Sequence, residues 1–156
     1  MIETMVQFSV FLDNTPGLLG RVCRELAAAK VNIVALTMMD ASEHGVIRVV
    51  GKNADRVRDT LKKLNLPSTE TKVLAVTMPN RPGAVADICE RLSTAKIPIS
   101  YLYSTTGAVG GKAIGIFKVQ SLAKAANVLK TKRGSGARDM KVKLRNRSRI
   151  KTGARR

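Results

Sequence analysis

The chain repeats itself. Residues 7–36 align with residues 73–102 at a shift of 66, and no gap is needed. Ten of the thirty pairs are identical, among them Asn14/Asn80, Pro16/Pro82, Gly17/Gly83, Cys23/Cys89, Leu26/Leu92 and Leu36/Leu102. Most other pairs are conservative, such as Val22/Ile88. Two copies of one small unit are therefore joined in tandem. A unit of about 60 residues buries only about 60% of its unfolded surface and is marginal alone. The copies are expected to pack on each other or on another chain.

Each copy reads through the same elements. Val6–Leu12 is an apolar, β-prone run ended by Asp-Asn-Thr-Pro-Gly. From Pro16 the period changes, and Leu18, Leu19, Val22, Leu26 and Ala29 fall on one face of a helix over 16–30. Pro16 suits a first helical position, with Asn14 or Thr15 as the cap. Val31–Met39 and Val46–Val50 form a hairpin across Asp40–Gly45, and a helix follows over Ala54–Leu64. The second copy gives a strand over Glu70–Met78, a helix over 82–96, strands Ile97–Ser104 and Lys112–Val119 across the turn Thr105–Gly111, and a helix over Ser121–Lys130.

Each copy is thus β-α-β-β-α and needs a closing strand. Glu70–Met78 can close the first copy while leading the second. For the second copy the candidate is Asp139–Arg145, which alternates Met140, Val142 and Leu144 with charge. The expected fold class is α+β: two ferredoxin-like βαββαβ units with antiparallel sheets, plus a basic C-terminal tail. The expected domains are 4–71 and 72–130, with a flexible tail over 131–156.

The Asn-x-Pro-Gly turns are where chemistry can reside. A helix start presents unpaired N–H groups and partial positive charge, which suits an anion. Gly17 and Gly83 leave room for a ligand's approach. Leu18 and Leu19, with their counterparts Ala84 and Val85, can line an apolar pocket. Asp13 and Asn14 can accept from an ammonium. An α-amino acid requires this combination, although the same turn also serves simply to start a helix.

The segments FLDNTPGLLGRVCRELAAAKVNIVAL and TMPNRPGAVADICERLSTAKIPISYL resemble ACT domains, small βαββαβ regulatory modules that bind amino acids. The whole chain is similar to stand-alone tandem ACT proteins without an enzyme domain. The resemblance implies side-by-side pairing of units, a homodimer, and a ligand held at an interface by the β1–α1 turns. Carried onto this sequence, the implied ligand residues are Asp13, Asn14, Pro16, Gly17, Leu18 and Leu19, then Asn80, Arg81, Pro82, Gly83, Ala84 and Val85. Pro79 and Arg81 stand where the first copy has Asp13 and Thr15, and Pro98 stands where it has Asn32. The first turn is therefore the favoured site.

Other classes fare less well. The single His44 sits in a hairpin turn, and no hydrolase, zinc-protease or nucleotide-loop motif occurs. Cys23 and Cys89 lie on apolar helix faces with no metal-ligand spacing, and read as small core residues. No metal, cofactor or catalytic residue is expected. No apolar run reaches the roughly 18–20 residues that cross a bilayer, and the first residues already read as a strand, so a cytoplasmic location is expected.

The net charge of +17 is concentrated at one end. Residues 130–156 hold 12 Lys and Arg against Asp139 alone. The alternative function is therefore a nucleic-acid-associated protein with a polybasic arm, including Lys132, Arg133, Arg138, Arg145, Arg147 and Arg149. Reading of RNA on the sheet itself needs exposed aromatics, and only Tyr101 and Tyr103 offer a pair.

Overall fold

A computed structural model describes residues 1–13, 15–39 and 44–131. Ten elements follow in order: β1 (Ile2–Asp13), α1 (Leu18–Ala28), β2 (Ile33–Met39), β3 (His44–Gly51), α2 (Ala54–Lys63), β4 (Ser68–Pro79), α3 (Ala84–Thr94), β5 (Ile99–Thr106), β6 (Lys112–Val119) and α4 (Leu122–Lys130). The strands form one antiparallel sheet in the order β2-β3-β1-β4-β6-β5.

The seam of this sheet is the β1–β4 ladder, which runs from Ile2↔Val76 to Val10↔Ser68. Val6 pairs with Lys72, its own counterpart in the repeat, so a pseudo-two-fold axis passes between them. The consequence is reciprocal closure. β4 closes the first unit, and β1 fills the place beside β4 where the second unit needs its fourth strand. The candidate closing strand Asp139–Arg145 lies outside the described residues, but the position it was expected to take within this sheet belongs to β1.

Alternation along the strands sorts their side chains. Phe8, Val10 and Leu12 on β1 pack with Ile47 and Val49 on β3 against Val22, Leu26, Val57 and Leu61 of α1 and α2. Leu74, Val76 and Met78 on β4 pack with Phe117 against Ile88, Leu92, Ala125 and Leu129 of α3 and α4. Ile2, at the far end of β1, joins this second core. All four helices therefore cover one face. Cys23 and Cys89 are free and half-buried, and Cys89 packs against the second core.

The other face is closed by curvature. Flat, β1 and β5 would lie three strand spacings apart, about 14 Å. Instead Gln7 on β1 donates from Nε2 to the Tyr101 hydroxyl at 2.8 Å, and the Tyr103 hydroxyl donates to Gln7 Oε1 at 3.0 Å. Arg48 on β3 stacks over the Tyr101 ring at 4.0 Å. β2 lies against β5 and β6. The sheet curls so that Met5, Ala35, Val50, Val73, Ala75 and Ile116 form a third core on its concave side. Gln7 is 0% exposed within it.

Three helices end alike. Lys30, Asn65 and Lys96 have φ of 54, 53 and 55°. In each case the next residue's N–H reaches back to the helix, as in Val31 to Leu26 O and Ile97 to Leu92 O, both at 2.9 Å. This is the Schellman arrangement, whose left-handed position favours glycine. Lys96→Gly is accordingly expected to raise stability by about 0.5–1 kcal/mol, read as a small upward shift of the thermal midpoint.

Candidate ligand site at the strand-to-helix turns

Both turns use their glycine in the same way. Gly17 and Gly83 have φ of 88 and 82° and occupy the N-cap positions of α1 and α3. Leu18 N–H bonds Thr15 O and Ala84 N–H bonds Arg81 O, each at 3.2 Å. No side chain caps either helix. The expected capping by Thr15 is therefore corrected, and Pro16 precedes the helix instead of opening it. A left-handed glycine turns the chain directly into the first helical residue, so a Ser/Thr/Asn-type cap has no place there. Asn14 lies outside the described residues.

The turns differ in what surrounds them. At the first, Asp13 ends β1 opposite His44, Pro16 and Gly17 are exposed, and a Cβ on Gly17 would meet nothing within 4 Å. Leu18 and Leu19 are half-buried against the first core. The first turn of α1 holds no acidic residue.

At the second turn, local groups already take the polar positions. Asn80 Nδ2 donates to Gly107 O at 2.9 Å and Ala108 O at 3.2 Å. Its backbone N–H bonds Gly111 O at 2.8 Å, and its carbonyl accepts from Gly110 N–H at 3.2 Å. Asn80 thus clamps the glycine-rich β5–β6 turn. Arg81 Nη2 meets Asp87 Oδ2 at 2.6 Å, and Arg81 Nη1 donates to Pro82 O at 3.0 Å. Asp87 supplies an acidic group in the first turn of α3. Ala84 is buried and Val85 half-buried.

The two turns are not brought together. β1 and β4 are antiparallel, so Asp13 and Pro79 lie at opposite ends of their ladder, on the order of 40 Å apart. A ligand bridging two such turns would require a second chain.

Residues 3–142 match the family described as an ACT domain pair. This chain belongs to the ACT-domain family. The ACT pair is similar to protein BT0572 from Bacteroides thetaiotaomicron, at 29% identity and a TM-score of 0.74 over 83% of this chain and 88% of that one. It also resembles the ligand-free regulatory subunit of aspartate kinase from Thermus thermophilus, at 10% identity and a TM-score of 0.63, covering 83% of this chain and 91% of that one. A third neighbour is a putative C-terminal regulatory domain of aspartate kinase from Porphyromonas gingivalis W83, at 11% identity and a TM-score of 0.54, covering 83% and 94%. The last two likenesses are of fold. No curated protein matches the chain.

Sequence reasoning missed the polar group inside this ACT pair. Tyr101 and Tyr103 are half-buried and not displayed on an open sheet; they bond Gln7 within the curl. Burial first, then the neighbouring Tyr101, raises the Tyr103 hydroxyl above its ordinary pKa, with Arg48 opposing. Such a pair offers no platform for stacked bases. The basic residues Lys132, Arg133, Arg138, Arg145, Arg147 and Arg149 lie outside the described residues. Among the described residues, no group of His, Cys, Asp or Glu is arranged to hold a metal, and no helix is long and apolar enough to cross a membrane.

Proposed function

We propose that this ACT pair is a non-catalytic regulatory sensor for a small amino-acid-like ligand, bound at the first strand-to-helix turn. The observation carrying this reading is the open helix start of α1, which holds no acidic residue in its first turn. The second turn spends Asn80 on a neighbouring loop and pairs Arg81 with Asp87.

In this reading the helix start of α1 receives the carboxylate, Asp13 the ammonium, and Leu18 and Leu19 the flank of the side chain. A second copy of the chain supplies the opposite wall, because the chain's own second turn is out of reach. Ligand binding thereby favours one arrangement of the dimer, which a partner reads.

Titration calorimetry on the full chain checks the site. A saturable amino acid ligand is expected with one strong site per chain. Asp13→Ala should weaken it at least about tenfold, the scale of a lost charge-assisted hydrogen bond. Two equal sites per chain, or an unchanged affinity in Asp13→Ala, would exclude the assignment to the first turn.

A further inference from the structure

The concave face of the sheet holds a cation whose donors meet no acceptor. Arg48, on β3, is half-buried and stacks its guanidinium over the Tyr101 ring at 4.0 Å. Its Nε is buried without a hydrogen-bond partner, and among the described residues no hydrogen bond or ion pair engages its other nitrogens. A guanidinium carries five donors and no acceptor, and withdrawing it from water without partners is costly. Such a group calls for an anion or acceptor from outside the chain. The carboxylates of this face, Asp13 and Glu3, lie four and six residues along β1 from Ser9, which pairs with Arg48. Those spacings are about 13 and 20 Å, and Glu3 already approaches Lys52 at 3.8 Å.

The hydrogen bonds around Arg48 leave further donors free. Gln7 Nε2 donates to the Tyr101 hydroxyl at 2.8 Å and to Ser9 Oγ at 3.3 Å. Each hydroxyl thereby acts as an acceptor and keeps its own hydrogen for another partner. Ser9 and Thr37 are the cross-strand neighbours of Arg48 on β1 and β2, so their side chains share its face. Lys118 pairs with Tyr101 in the β5–β6 ladder on the same face, and has no ion pair among the described residues. Ser9, Thr37, Tyr101 and Lys118 are half-buried like Arg48, so each still meets solvent. The next row along the strands is Phe11, Val46 and Met39, with Phe11 45% and Met39 42% exposed. Donors without acceptors thus stand beside an uncovered apolar row.

We infer that this rim binds a phosphate monoester, its phosphate on Arg48 and its apolar substituent on Phe11 and Met39. The stack on Tyr101 fixes the guanidinium plane and leaves its edge to meet two phosphate oxygens. The Ser9 and Tyr101 hydroxyls donate to the remaining oxygens. Lys118 supplies a second positive charge, which suits a phosphate of nearly two negative charges over a carboxylate of one. No carboxylate lies beside these groups to hold an ammonium, so an amino acid is not the ligand here. The inference goes beyond the sensor reading above and survives its failure, since the two sites share no residue.

The test is titration calorimetry of the full chain, at constant chloride, with phenyl phosphate, methyl phosphate and benzoate. Phenyl phosphate is expected to bind, methyl phosphate about three- to tenfold more weakly, and benzoate at least about tenfold more weakly. Arg48→Met should weaken phenyl phosphate at least about tenfold. It should move the thermal midpoint by no more than about 3 °C, because the lost cation had no acceptor in the protein. Arg48→Lys keeps the charge without the fork and should weaken binding about fivefold; it decides the matter should Arg48→Met not fold. Phe11→Ala should bring phenyl phosphate down to the affinity of methyl phosphate. Asp13→Ala, more than a screening length away, should change binding less than about twofold. The inference is overturned if phenyl phosphate gives no binding at about 10 mM, or if benzoate binds equally. It is also overturned if the Arg48 variants bind like the parent chain, which would assign the phosphate to the basic tail.

Discussion

Residues 72–131 expressed alone should show no cooperative unfolding transition. The reason is the reciprocal closure at the seam. Without β1, the part of β4 in this fragment loses its ladder from Ile2↔Val76 to Val6↔Lys72 and becomes an exposed edge. The second core also loses Ile2, and the concave core loses Met5. A lone unit of this size is marginal even with every strand in place. The first unit faces the same loss, because its closing strand β4 is also the leading strand of the second. The measurement is thermal and urea unfolding of each isolated unit beside the intact chain. A sharp transition in either fragment would mean that the units are independent domains.

Gln7→Ala is the second large effect. Gln7 is wholly buried and bonds both tyrosines of β5 across the curl. Its removal leaves two hydroxyls without their shared partner and a void where the amide stood. Each unmade buried hydrogen bond costs about 1–3 kcal/mol, so a loss of about 2–4 kcal/mol is expected once partial hydration of the half-buried tyrosines is allowed for. In a chain of this size that lowers the thermal midpoint by about 5–15 °C. A double-mutant cycle with Tyr103→Phe should give a coupling of about 0.5–3 kcal/mol. Additive losses in that cycle would show that β1 and β5 do not meet in solution.

Much of this architecture is legible in the residues. Hydrophobic spacing locates every helix to within about two residues, and the 66-residue shift fixes which strands are equivalent. The element count alone does not reveal that β1 serves both units, because pairing between copies leaves no local signature. The curl is hidden for a similar reason. Simple alternation assigns Gln7, between apolar Val6 and Phe8, to a solvent face. Only the long-range approach of β5, more than ninety residues away, turns that face into an interior.

The geometry of the two turns is legible in part. Asn-x-Pro-Gly correctly marks each strand-to-helix turn, and the glycines are required at positive φ in both. What the motif does not disclose is the use of Asn80, whose partners Gly107 and Ala108 lie in a distant turn. The pairing of Arg81 with Asp87, six residues apart, is closer to the surface of the sequence and follows once α3 is placed. Together these contacts separate two turns that their shared letters make look alike.

The central claim is that the pair senses a small amino-acid-like ligand. Its most direct test is the thermal midpoint of the full chain against a panel of the common amino acids. A ligand at about 100 times its dissociation constant adds about 2.7 kcal/mol, so one amino acid or a small related group should raise the midpoint by about 5–10 °C. Asp13→Ala should remove most of that rise. A flat panel at millimolar concentrations, with the chain folded throughout, would contradict the sensor reading.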